Sequence, residues 1–214
     1  MSVIEKGLHV FSISFKDKSG KEHEIIIGPE KPEDAVKDRR VSYLPKNVHR
    51  CRFLLKRAFL LQQFLHSLIG RYCNRLPHAD LTLPGGTVFK PESFGSPETA
   101  LHGGPAASGW DQKTLQRLSP EQLTLFSKSE IETLKNQYGE EAAGVWACES
   151  PDGEGGHVGK VRAEVAIAVR DVDGAVGEVT LVYRAKLLSG EESALNLTQV
   201  SGCCRIEVAS SFKS

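Results

Sequence analysis

A few side chains, in short runs, have types and neighbours that could serve a ligand. Asn74 and Arg75 adjoin, and His102 stands directly before Gly103 and Gly104. Arginine offers a planar fork of N–H donors that matches neighbouring oxygens. An imidazole changes charge near neutral pH, so it suits proton transfer and orienting hydrogen bonds. Trp110 could stack on a flat ligand face, and core packing is at least as natural for it. Ordinary readings stand beside these. Arg75 could pair with a carboxylate, and His102 could be a plain loop histidine. His66, His78 and His157 sit in no such run and are expected at the surface.

The elements that must position these residues read mostly as strands. Phe11, Ile13 and Phe15 alternate with Ser12 and Ser14, and Glu24 to Ile27 follows a turn at Lys18-Ser19-Gly20-Lys21. The clearest pattern runs from Val158 to Leu188. Val161, Ala163, Val165, Ile167 and Val169 alternate with Arg162, Glu164, Ala166, Ala168 and Arg170. After Asp171-Val172-Asp173-Gly174, Val179, Leu181, Tyr183 and Ala185 alternate with Thr180, Val182, Arg184 and Lys186. This predicts a hairpin with one buried face in a sheet-on-sheet fold. Ser129-Glu130-Ile131-Glu132 has capping-box spacing and predicts a short helix towards Tyr138. Ser119-Pro120-Glu121-Gln122 could open another helical turn. Turn-rich stretches at Pro77 to Gly109 and Ser150 to Gly159 are the loops expected to hold a site.

Bulk composition narrows the classes. The 214 residues carry 27 Lys plus Arg against 27 Asp plus Glu, so a broad nucleic-acid surface is not expected. The chain is 40% hydrophobic and 25% charged, ordinary for a globular domain. The N-terminus does not read as a signal peptide, and no uncharged apolar run is long enough to span a membrane. The five cysteines are irregularly spaced and suggest neither a disulfide framework nor a metal site. The expectation is a cytoplasmic protein with no cofactor, no metal and no membrane partner. Asn196-Leu197-Thr198 matches a glycosylation sequon, which carries no meaning in that compartment. The sequence specifies no oligomeric state.

Four runs resemble the aldose 1-epimerase (galactose mutarotase) family, in that family's order. Ile69-Gly70-Arg71-Tyr72-Cys73-Asn74-Arg75 resembles its "IGRxANR" motif. Leu101-His102-Gly103-Gly104, then Gly109-Trp110-Asp111, resembles "LHGG…GfD". Ser150-Pro151-Asp152-Gly153-Glu154-Gly155-Gly156, then Gly159, resembles "SPDGEEGyPG". Asn196-Leu197-Thr198-Gln199 resembles the start of "NLTNHxYFNL". The resemblance implies an all-β fold, an incomplete galactose mutarotase-like antiparallel β-sandwich (supersandwich). It implies a small-molecule partner, an aldohexose such as glucose or galactose, bound by Asn74, Arg75 and His102. The implied reaction interconverts α and β anomers. A base removes the proton of the anomeric hydroxyl, an acid protonates the ring oxygen, and the free aldehyde rotates and recloses.

Departures from the family bear on catalysis. The acid histidine is expected where this chain has Val200, and the base glutamate is expected further along, so no catalytic residue is assigned. Residues 1–199 read as the N-terminal part of the sandwich, interrupted by an atypical insert at 41–63, and 200–214 read as a non-family tail. The insert has no acidic residue but carries Lys46, Arg50, Arg52, Lys56 and Arg57. Both odd segments begin with valine and the insert ends with Gln63, as translated introns would. Removing Val41 to Gln63 joins Arg40 to Phe64 in a run that reads as family sequence. A genuine insert is the alternative. Two other functions remain open: a catalytically dead sugar-binding module, and membrane or partner binding through the basic insert.

Overall fold

The computed structural model describes residues 2–5, 7–16, 19–24, 67–105, 109–110, 113–172, 176–199 and 207–210. The insert at 41–63, His66 and Val200 lie outside the described residues.

The largest sheet is built around the hairpin read from the sequence. β13 (Lys160–Val172) pairs with β14 (Val176–Ser189), and β12 (Ala143–Ser150) lies on the other side of β13, all antiparallel. β11 (Gln116–Arg117) adds to β12, and β16 (Glu207–Ser210) runs parallel to β14, giving the order β11-β12-β13-β14-β16. The N-terminal strands β1 (Ser2–Ile4) and β2 (His9–Ser12) pair with each other, as do β3 (Ser14–Lys16) and β4 (Glu22–Glu24). β5 (Leu68–Ile69) pairs with β15 (Thr198–Gln199). A small sheet has the order β6-β10-β9, from β6 (Arg75–Pro77), β10 (Thr99–Leu101) and β9 (Gly95–Ser96). A pair of β7 (Leu81–Thr82) and β8 (Val88–Phe89) completes the strands. The all-β expectation is borne out.

Alternation along β13 sends Val161, Ala163, Val165, Ile167 and Val169 to one face of the sheet. There they join Val10, Ile13, Phe15, Leu68, Trp110 and Trp146 in the main core. The opposite face differs from the expectation of a single buried side. Glu164, Ala166 and Ala168 are also buried. The reason is α1 (Lys128–Tyr138), which lies on that face; its Ile131, and Phe126 just ahead of the helix, pack against Val145 and Ala166. Glu164 tolerates burial because its carboxylate accepts from Thr124 N (3.0 Å), Thr124 Oγ1 (2.6 Å), Leu125 N (2.9 Å) and Arg162 Nε (3.0 Å).

The helix begins earlier than the sequence pattern suggests. Its capping box is formed by Ser127 and Glu130, not Ser129 and Glu132. Ser127 Oγ accepts from Glu130 N, while the Glu130 carboxylate accepts from Ser127 N at 2.8 Å. In this register Glu130 also pairs with Arg184 at 2.6 Å. That partner, together with Ser127, pulls the Glu130 carboxyl down to about 2. Phe126 and Ile131 flank the cap as a hydrophobic staple.

Candidate functional site

The four motif runs, separated by up to about 130 positions, converge in space. Residues 67–75 form the hub. Leu68 and Ile69 pair with Gln199 and Thr198, Tyr72 bridges to Asn196, and Cys73 N donates to Asn196 O at 2.9 Å. This joins the first motif to the fourth. The first and second motifs meet through β6 and β10, where Arg75 is opposite Leu101. One step beyond that ladder, His102 N donates to Asn74 O at 2.9 Å. Asn74 (φ 66°) and His102 (φ 52°) both adopt the left-handed region, in which each chain leaves its strand.

Gly103 cannot be replaced by a larger residue here. It has φ +86°, and a Cβ would stand 2.4 Å from Gly70 O and Arg71 N. The close approach of these two backbones is what sets His102 beside Asn74 and Arg75. Arg75 is exposed, and among the described residues no carboxylate lies within ion-pair distance of it. Among the described residues, the reading of Arg75 as one half of an ordinary ion pair therefore has no support. His102 is half-buried. Burial, and then the positive charge of Arg75, pull its imidazole down to about 4. At neutral pH it is an uncharged ring with one N–H and one acceptor nitrogen.

Trp110 is fully buried in the main core, with Gly70 against its ring. Between stacking on a ligand and packing in the core, the structure selects packing. His157 corrects the surface expectation. It is 1% exposed, its Nε2 lies 2.8 Å from Gly103 O, and its ring meets Tyr72 edge-on at 4.9 Å between centroids. His78 is half-buried, with Nδ1 2.8 Å from Pro91 O. Both differ from expectation because their loops fold back on the β7–β8 region, which local sequence does not reveal. Glu92 N donates to Gly155 O at 2.8 Å.

Sequence reasoning assigned no role to Arg71, which proves to be the most heavily bonded side chain of the region. It is 1% exposed, and its guanidinium reaches Ser150 Oγ (3.0 Å), Ser150 O (3.1 Å), Pro151 O (3.3 Å), Val158 O (2.9 Å), Gly159 O (2.5 Å) and Ser193 Oγ (3.2 Å). An arginine between Gly70 and Tyr72, after buried Leu68 and Ile69, was the available signal. The third motif thus closes on the first. Within that loop Glu154 accepts from Ser150 Oγ (2.6 Å) and pairs with Lys113 (2.5 Å), and Asp152 accepts from Gly159 N (2.6 Å). Burial raises the Tyr72 hydroxyl to about 12, so it stays protonated.

Among the described residues, other chemistry finds no equal set of groups. Among the described residues, no cluster of three His, Cys, Asp or Glu could hold a metal ion. No described helix is long and apolar enough to cross a membrane. A cleft lined by Val3, Glu5, Arg117, Glu141, Ala143 and Trp146 contains no motif residue.

No family model matches the chain. Among curated proteins it is similar to a probable aldose 1-epimerase from Arthroderma benhamiae, with 27% identity over 125 residues. That match covers 58% of this chain and 24% of the relative, so the chain spans about a quarter of the relative's length. Among solved structures, a GalM/aldose epimerase homologue from C. elegans aligns at TM-score 0.49 and 16% identity, over 79% of this chain and 38% of that one. A galactose 1-epimerase from Lactobacillus acidophilus aligns at TM-score 0.41 and 14% identity, over 77% and 35%. By sequence, the chain is similar to a probable aldose 1-epimerase over the 125 residues matched.

Proposed function

We propose that the face bearing Asn74, Arg75 and His102 is the sugar-binding side of an aldose 1-epimerase site, taking a hexose such as glucose or galactose. The observation that carries this is the convergence of four motif runs on one hub, with His102 bonded to the backbone of Asn74 and next to Arg75 across a ladder. The chemistry suits a neutral polyol. Arg75, without a carboxylate partner among the described residues, offers its N–H fork to neighbouring hydroxyls. His102 is an uncharged ring with one N–H and one acceptor nitrogen, suited to hydroxyls rather than to a charged ligand. Asn74 adds an amide with two donors and an acceptor. Such bonds orient the anomeric centre, which is the contribution binding residues make to ring opening.

Valine cannot protonate a ring oxygen, so Val200 does not supply the acid expected at its position. The chain is therefore proposed to bind the sugar without accelerating mutarotation. Calorimetric titration with D-galactose and D-glucose tests the binding site. The wild-type chain is expected to bind saturably, and Arg75→Ala and His102→Ala each to weaken binding at least about tenfold, or about 1.4 kcal/mol. Unchanged affinity in both variants rejects the site. Polarimetry of freshly dissolved α-D-glucose tests the second statement, and acceleration by this chain would overturn the assignment of the acid to position 200.

A further inference from the structure

Arg71 is buried, and its bonds lie on the route by which His102 is held. Its guanidinium gathers carbonyls from two ends of one loop, Ser150 and Pro151 at the start, Val158 and Gly159 at the finish. His157 lies inside the span so closed. Its Nε2 faces Gly103 O at 2.8 Å, and a carbonyl can only accept, so Nε2 carries the hydrogen and donates. Gly103 in turn follows His102, whose N–H is bonded to Asn74 O. Arg71 is itself three residues from Asn74, so the contacts form a closed ring: turn, loop, His157, Gly103, His102 and back to the turn.

We propose that Arg71 is a positioning residue: by closing the 150–159 loop it seats His157 against Gly103 and thereby fixes the His102 backbone at the candidate site. Two features make the ring rigid. The planar fork bonds oxygens that lie in several directions, which a lysine ammonium with three donors on a flexible stem cannot reproduce. His157 is wedged as well as bonded, with Tyr72 at 4.9 Å and Phe89 at 6.0 Å between centroids. Burial dominates and holds the His157 ring below the usual histidine range; the nearby positive charge of Arg71 acts the same way, while the bond to the Gly103 carbonyl and the charge of Glu154 act in the opposite sense.

The proposal is relevant to sugar binding only through the function proposed above, but its test needs no sugar. Amide hydrogen exchange of the full chain is measured at His102, with Ile167 and Leu181 in the central hairpin as reporters of global stability. Arg71→Lys and His157→Phe are each expected to speed exchange at His102 about tenfold, with the hairpin amides unchanged. The double variant is expected to exceed neither single one, because both break the same ring. His157→Gln keeps a side-chain donor and is expected to restore much of the protection lost in His157→Phe. Unchanged protection at His102 in His157→Phe, or a rise in exchange shared equally by the hairpin, would overturn the proposal. If Arg71→Lys fails to fold, the two His157 variants still decide it. If the wild-type chain binds no hexose while the exchange pattern is as expected, the functional reading fails and the positioning role stands.

Discussion

The charge state of His102 can be tested by stability as well as by binding. In the folded chain its imidazole titrates near 4, against 6.5 for an ordinary histidine, chiefly through burial and then through Arg75. The unfolded chain therefore binds more protons between these two values. Stability from this group is complete above pH 6.5 and is lost as pH falls towards 4. Allowing for its half-buried position, the expected fall between pH 7 and pH 5 is about 1 kcal/mol, read from urea midpoints. His102→Gln should flatten the profile by that amount. An identical pH dependence in the variant would show that His102 is not the group responsible. His157 shifts in the same direction and adds to the slope.

At the scale of elements, α1 owes its position to a few residues at its start. Its Ser127–Glu130 capping box satisfies two backbone donors that the first helical turn leaves open, and Arg184 of β14 fastens Glu130 to the sheet. Ser127→Ala should destabilise the protein by about 1 kcal/mol, measured by chemical unfolding. Ser129→Ala should have a much smaller effect, because Ser129 does not cap the helix. Equal losses in the two variants would restore the register suggested by the local pattern. Both serines have a glutamate three positions on, so local spacing alone could not choose between them. The choice came from a tertiary partner, Arg184, more than fifty positions away. The same physics explains β13. Its alternation was legible, but the burial of Glu164, Ala166 and Ala168 depends on a helix that covers the second face of the sheet.

At the scale of the whole molecule, the atypical segment Val41 to Gln63 is open to a direct test. A chain in which Arg40 joins Phe64 is expected to keep both its thermal midpoint and its affinity for D-galactose, since the junction restores a run resembling the family. A loss of either would mark the segment as part of the working protein. Much of the fold and part of the candidate site could be read from the sequence. Period-two alternation is a local property, so the hairpin of β13 and β14 and the strand-rich class followed from the residues themselves. The motif runs also singled out Asn74, Arg75 and His102 by type and neighbour. What the chain order could not supply was proximity. Only tertiary structure placed His102 N against Asn74 O, left Arg75 without a carboxylate among the described residues, and buried Trp110 and His157. Only there did Arg71 acquire its partners, because hydrogen bonds across 79 to 122 positions are set by how loops pack on the sheet and leave no periodic trace in the sequence.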